Sequence, residues 1–139
     1  MFTQIMAPVD LAHAERLGRA LGVTADLARH YGAPVCYVAV GAATPGKLAH
    51  TPQEFQQKLD AFAAEQAAKH GHSATAKALI TPDPAVDMDD SLLKAVEQVG
   101  ADLVVMASHV PGVADYLLPS HGGRMASHSG ASVLIVRPD

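Results

Sequence analysis

The chain has no tryptophan, only one cysteine and no concentrated block of basic residues. Each shortage removes a class of protein. Cys36 has no partner within the chain, which excludes a disulfide framework and favours a reducing compartment. It lies inside an apolar run and reads as a small buried hydrophobe. Lys+Arg number 10 against Asp+Glu 14, for a net charge of −4, so the chain lacks the positive excess that general nucleic-acid binding draws on. No apolar run approaches the roughly 20 residues that cross a bilayer. The opening MFTQIMAPVD has no basic segment followed by a long apolar one, and reads as a first strand, not a signal peptide. Neither nucleic acid nor membrane is expected as a partner. The expectation is a soluble, cytoplasmic protein whose 139 residues form a single domain, 1–139.

What is present is 49% hydrophobic residues, much of it alanine, against 17% charged. Small side chains suit helices packed closely on a sheet. Phe2–Val9, Val35–Val40, Ser73–Thr81, Leu103–Met106 and Val133–Val136 are short, apolar or β-branched runs bounded by polar and turn residues. Leu103–Met106 and Val133–Val136 read as strands buried on both faces of a parallel sheet. Ser73–Thr81 is the most polar of the five and suits an edge.

Helical spacing fills the gaps. From His13 to Tyr31, Leu17, Leu21, Thr24, Leu27 and Tyr31 share one face, and Gly32 supplies a stop. GAATPGKLAH reads as a mobile loop. Thr51-Pro-Gln-Glu54 is a helix start, with Thr51 as N-cap, Pro52 at the first position and Glu54 closing a capping box. That helix turns Phe55, Leu59 and Phe62 inward and ends at Gly71. Asp83, Asp87, Asp89 and Asp90 crowd another start, where carboxylates meet the positive end of the helix dipole. Leu92, Leu93, Val96 and Val99 follow as its inward stripe before Gly100. The order β-α-β-α-β-α-β-α-β implies a doubly wound parallel sheet. Ligands of such sheets sit beyond the carboxyl ends of the strands, which singles out the loop Ala107–Ser120.

Three stretches together carry a resemblance. IMAPVD near the start, GADLVVMASH before that loop and SVLIVR at the end are similar, in this order and spacing, to signatures of the universal stress proteins. The resemblance covers essentially the whole chain. It implies an α/β Rossmann-like fold with a five-stranded parallel sheet of order 3-2-1-4-5, a homodimer, and a stress-linked, largely non-catalytic role. The last strand would lie at a sheet edge. Its apolar, little-charged sequence is an association hazard unless paired, so homodimerisation through Ser132–Arg137 is expected.

One branch of the family binds ATP through a loop of pattern Gly-x2-Gly-x9-Gly-Ser/Thr. Here the three glycine positions fall on Ala107, Val110 and Pro119, Ser120 is retained, and the stretch between is one residue short. Glycines let backbone amides approach phosphate oxygens. Pro119 has no amide hydrogen, and Val110 adds a branched side chain where phosphate needs room. A rotated loop could still offer the amides of Ser120, His121 and Gly122 at a helix start.

The adenine side is better kept. By the resemblance, Pro8 and Asp10 flank the adenine, Val40 supplies an apolar contact, and Met106 and Ala107 line the floor. Asp10 reads equally as a helix cap, and Val40 and Met106 as core.

The leading expectation is therefore a binding or regulatory module with weakened or lost ATP binding. The alternative is an ATP- or AMP-binding protein, with slow ATP hydrolysis through a remodelled 107–120 loop. A third reading uses His109 and His121 as metal ligands in an enzyme, although no zinc-type spacing with cysteine accompanies them. A Ser-His-Asp set drawn from Ser108 or Ser120, His109 or His121, and Asp10 is weaker still, because no Gly-x-Ser-x-Gly elbow is present.

Overall fold

The computed structural model of the chain describes residues 1–108 and 121–137. Strands β1 (Ile5–Pro8), β2 (Val35–Ala42), β3 (Ala74–Thr81), β4 (Leu103–Ala107) and β5 (Ser132–Val136) form one sheet. All pairings are parallel and the order is β3-β2-β1-β4-β5, as expected. Helices α1 (Gly18–Tyr31), α2 (Pro52–His70), α3 (Pro84–Val99) and α4 (His121–His128) cover it. None of the described helices is long and apolar enough to cross a membrane.

Strand alternation sorts the core into two layers. Ile5, Val35, Tyr37, Leu103 and Val105 point to the layer with Leu21, Phe55 and Leu59 of α1 and α2. Met6, Cys36, Val38, Val104 and Met106 point to the other, with Leu92 and Val96 of α3 and Met125 of α4. Central strands buried on both faces need no polar positions, which is why they read as continuous apolar runs.

Several elements depart from the sequence reading in detail. The segment 13–31 is not one helix. Asp10 caps a short 3-10 helix, Leu11–Arg16, by accepting from the Ala12 amide at 3.1 Å, and α1 starts afresh at Gly18. The buried face of α1 is Leu21, Thr24, Ala25 and Ala28, while Leu17, Leu27 and Tyr31 lie at its rim. Alanines carry the close approach to the sheet here. On α2 the buried face is Phe55, Leu59, Ala63 and Gln66, with Phe62 only half-buried.

Thr51 Oγ1 accepts from the Glu54 amide at 3.0 Å, but the Glu54 carboxylate reaches the His50 amide at 3.2 Å, one residue beyond the reciprocal position of a capping box. Helices α1, α2 and α3 end on left-handed Gly32, Gly71 and Gly100. The segment after β2 is tied down: Leu48 and Ala49 pack against the core, and Lys58 donates to the Leu48 carbonyl.

The largest difference is β5. In the isolated chain it is not buried on both faces: Leu134 and Ile135 are 39% and 37% exposed. Its position beyond β4 at the sheet edge explains this. An uninterrupted apolar run is compatible with an edge strand as well as with a central one.

Candidate functional site

A cleft of about 490 Å³ opens at the carboxyl ends of β1, β2, β4 and β5. The strand order creates it. The connection from β1 runs to its neighbour β2, whereas the connection from β4, on the other side of β1, runs away to β5, so the crossovers part there. Both core layers contribute to its walls: Leu17, Leu48 and Phe55 from the α1/α2 side, Met88, Leu92 and Met106 from the α3/α4 side. This volume lies within the roughly 300–1,000 Å³ of small-molecule sites.

Of the residues singled out from sequence, Pro8, Asp10, Val40, Met106, Ala107 and His121 all line this cleft. Val110, Ser120 and His109 lie outside the described residues. Met106 is buried, whereas Pro8, Val40 and Ala107 are half-buried at the strand ends. Asp10 fulfils its cap role and also borders the cleft. Its second carboxylate oxygen meets His13 Nδ1 at 2.8 Å.

One close approach shapes the floor. Gly41 lies beneath the ring of Phe55, and a Cβ there would come within 2.9 Å of Cζ and 3.0 Å of Cε1. Gly41 therefore lets α2 press its first aromatic onto β2, where that ring joins the cleft lining. The sequence carries the glycine, but its partner is identified only by the packing.

His121, the first residue of α4, pairs through Nδ1 with Asp89 Oδ1. Asp89 is largely buried, with its side chain 13% exposed, and Arg124 Nε approaches its other oxygen at 3.9 Å. Asp90 extends the network to Arg124 Nη2 at 3.4 Å. An ionised carboxylate only accepts, so Nδ1 carries the proton and Nε2 is the ring's other, unprotonated nitrogen when the imidazole is neutral. The acidic run at the start of α3 thus divides. Asp83 caps the helix and Asp87 accepts from Thr81 Oγ1 at 2.6 Å, while Asp89 and Asp90 hold α4. His121 is engaged by Asp89 and Asp10 by His13, so the Asp10–His121 pairing of the hydrolase reading is not formed. No cluster of three or more metal-ligating side chains occurs among the described residues. Ser108 borders the cleft too; its amide donates to the Val136 carbonyl at 2.9 Å, and its buried hydroxyl has no hydrogen-bond partner among the described residues.

Sequence reasoning missed the charge on the rim. Arg16 at the end of the 3-10 helix, Arg19 in the first turn of α1 and Arg137 just past β5 all line the cleft. Arg137 lies near the far end of the sequence from the other two, and only the fold brings them to one cleft.

Three solved structures share this architecture. A universal stress protein in complex with cAMP is 20% identical with TM-score 0.74, covering 99% of this chain and 98% of that one. The protein from Archaeoglobus fulgidus in complex with dAMP is 18% identical with TM-score 0.63, and 96% of each chain is covered. A family protein from Arabidopsis thaliana with AMP bound is 16% identical with TM-score 0.67, covering 99% of this chain and 92% of that one. At these identities the likeness establishes the fold. Family membership rests on the sequence model, which matches residues 1–137: the chain belongs to the universal stress protein family.

Proposed function

We propose that this protein is a non-catalytic regulatory module whose cleft takes an adenine mononucleotide and holds ATP weakly. The observation that carries this is the convergence of Pro8, Asp10, Val40, Met106 and Ala107 on one cleft of about 490 Å³ at the strand ends. Those residues came from the adenine side of the family pattern, and the fold keeps them together. The solved relatives with cAMP, dAMP and AMP support a mononucleotide as the ligand class. Against ATP stand Ala107, Val110 and Pro119 at the three glycine positions. A triphosphate needs several amides at close range, and proline offers none. A single phosphate asks for less.

The test is calorimetric titration of the purified protein with AMP and ATP, preceded by mass spectrometry of small molecules released on denaturation. The expected result is AMP binding near one per chain, with ATP weaker. ATP binding tighter than AMP, or no heat with AMP, overturns the reading.

A homodimer formed through β5 belongs to the same proposal. Leu134 and Ile135 leave apolar surface on an uncovered strand edge, and a second copy of the strand satisfies its outward amides and carbonyls. One domain over 1–139 and a cytoplasmic setting complete it. The match over residues 1–137 and the lone buried Cys36 support these two points respectively.

A further inference from the structure

The chain is acidic overall, yet among the described residues the cleft is lined by three arginines and two histidines against a single carboxylate. That carboxylate, Asp10, is already committed: one oxygen accepts from the Ala12 amide and the other meets His13. Asp89, next in the chain to the cleft-lining Met88, is engaged by His121 and Arg124. The balance of the described lining is therefore positive, opposite in sign to the protein's net charge of −4.

The arrangement of the arginines is specific. Arg16 and Arg19 come from the connection between β1 and α1, and Arg137 comes from the end of β5. Helix α1 packs on β4, β5 and β1, which brings the start of α1 towards the end of β5 on one side of the cleft. His121 and the start of α4 lie on the other layer. The apolar residues Val40 and Met106, on the α3/α4 layer, and the half-buried Pro8 line the strand ends across from the arginines. An occupant with an apolar ring system and one anionic end fits this division.

We propose that the anionic end of the ligand is bound by a guanidinium wall formed by Arg16 and Arg137, which takes the part that loop glycines play in the ATP-binding branch of the family. This rests on the mononucleotide reading for the ring, but the wall itself recognises phosphate. Guanidinium groups suit the task because they present paired donors to phosphate oxygens and stay charged at all ordinary pH. Side chains of this length also reach a phosphate without needing a glycine backbone to approach it.

The experiment compares wild type with R16A/R137A, titrated by calorimetry with adenosine, AMP and pyrophosphate at low and high salt. Both arginines are exposed, so the double variant is expected to keep the wild-type melting temperature, which is measured alongside. The expected result is an AMP affinity about 10- to 100-fold lower in the variant, from loss of charge-assisted hydrogen bonds. Adenosine affinity stays unchanged and the salt dependence of AMP binding shrinks. If pyrophosphate binds and AMP does not, and pyrophosphate binding is lost in R16A/R137A, the wall stands and the mononucleotide reading falls. If AMP binds equally well to both proteins, the wall is overturned and the mononucleotide reading survives. No heat with AMP or pyrophosphate in the wild type overturns both.

Discussion

Asp89 and His121 stand 32 residues apart in the chain and meet side chain to side chain at the edge of the cleft. The pair joins α3 to the first residue of α4, so the start of α4 is held by a largely buried carboxylate. Met125, fully buried one turn later, is the apolar anchor of the same helix. Asp89→Asn keeps the size of the side chain and removes its charge. The expected cost is about 1–3 kcal/mol, the range for a charged hydrogen bond lost at a buried site, read as a lower urea midpoint at unchanged slope. Loss of order in α4 is expected to accompany it, seen as faster amide exchange at residues 122–128. An Asp89→Asn protein with wild-type midpoint and wild-type exchange would mean that the Asp89 charge does not hold the helix.

The contact between Gly41 and Phe55 makes a second expectation. Gly41→Ala places a methyl within about 3 Å of a buried ring, and overpacking of this kind costs about 1–3 kcal/mol. Because Phe55 also lines the cleft, the displaced ring is expected to weaken AMP binding. Phe55→Leu removes the flat ring and with it the clash. The double variant should therefore be more stable than the sum of the two single effects, a positive coupling in a double-mutant cycle. Strict additivity would show that the strand shifts and absorbs the methyl.

The opposite end of the sheet supplies a pH dependence. The Tyr37 hydroxyl lies 2.9 Å from His72 Nε2, and burial pushes the phenol up to about 12. Tyr37 therefore donates, and His72 accepts as neutral imidazole. Burial first, then the charges of His70 and Arg29, hold His72 below its ordinary value. With the folded value lowered, the unfolded chain takes up the proton first as pH falls. The contribution is present above about pH 6.5, the unfolded value, is lost as pH drops through the folded value, and is flat below it. His72→Gln keeps an acceptor for Tyr37 but cannot titrate. Urea denaturation at a series of pH values from about 7.5 to 4.5 should show a shallower profile for the variant. Parallel profiles would remove His72 from the account.

Much of the fold was legible because local rules and tertiary demands agree. The strand runs, the caps at Asp10 and Thr51 and the glycine stops are each set by neighbours in sequence, and all reappear in the structure. The break between Leu17 and Gly18 was not legible, since the leucine spacing continues across it while the backbone does not. That Pro8, Asp10, Val40, Met106 and Ala107 share one cleft was legible through motif order. The arginines were not: Arg16 and Arg137 come to line one cleft only through the packing of α1 across β4 and β5. Asp89 was misread for a related reason. An acid near a helix start has a sufficient local explanation in the dipole, which hid its long-range partner on α4.

The edge strand carries the last expectation. Ser132 donates its amide to Asp102 and Val136 offers its carbonyl to Ser108, so these residues face β4. Alternation then turns the backbone groups of Val133 and Ile135 to the open edge. Those groups lie beside Leu134 and Ile135, the two exposed apolar side chains of the strand. A second copy of the strand satisfies the first set and covers the second, whereas a monomer leaves both to water. Sedimentation velocity at micromolar concentration is expected to give a dimer. Leu134→Lys combined with Ile135→Lys places like charges on both sides of the junction and should shift the protein to monomer, because edge lysines oppose pairing. Neither side chain is buried in the isolated chain, so the monomer is expected to remain folded, with a circular dichroism spectrum like that of the wild type. A wild-type monomer at the same concentration would assign the apolar edge to some other partner.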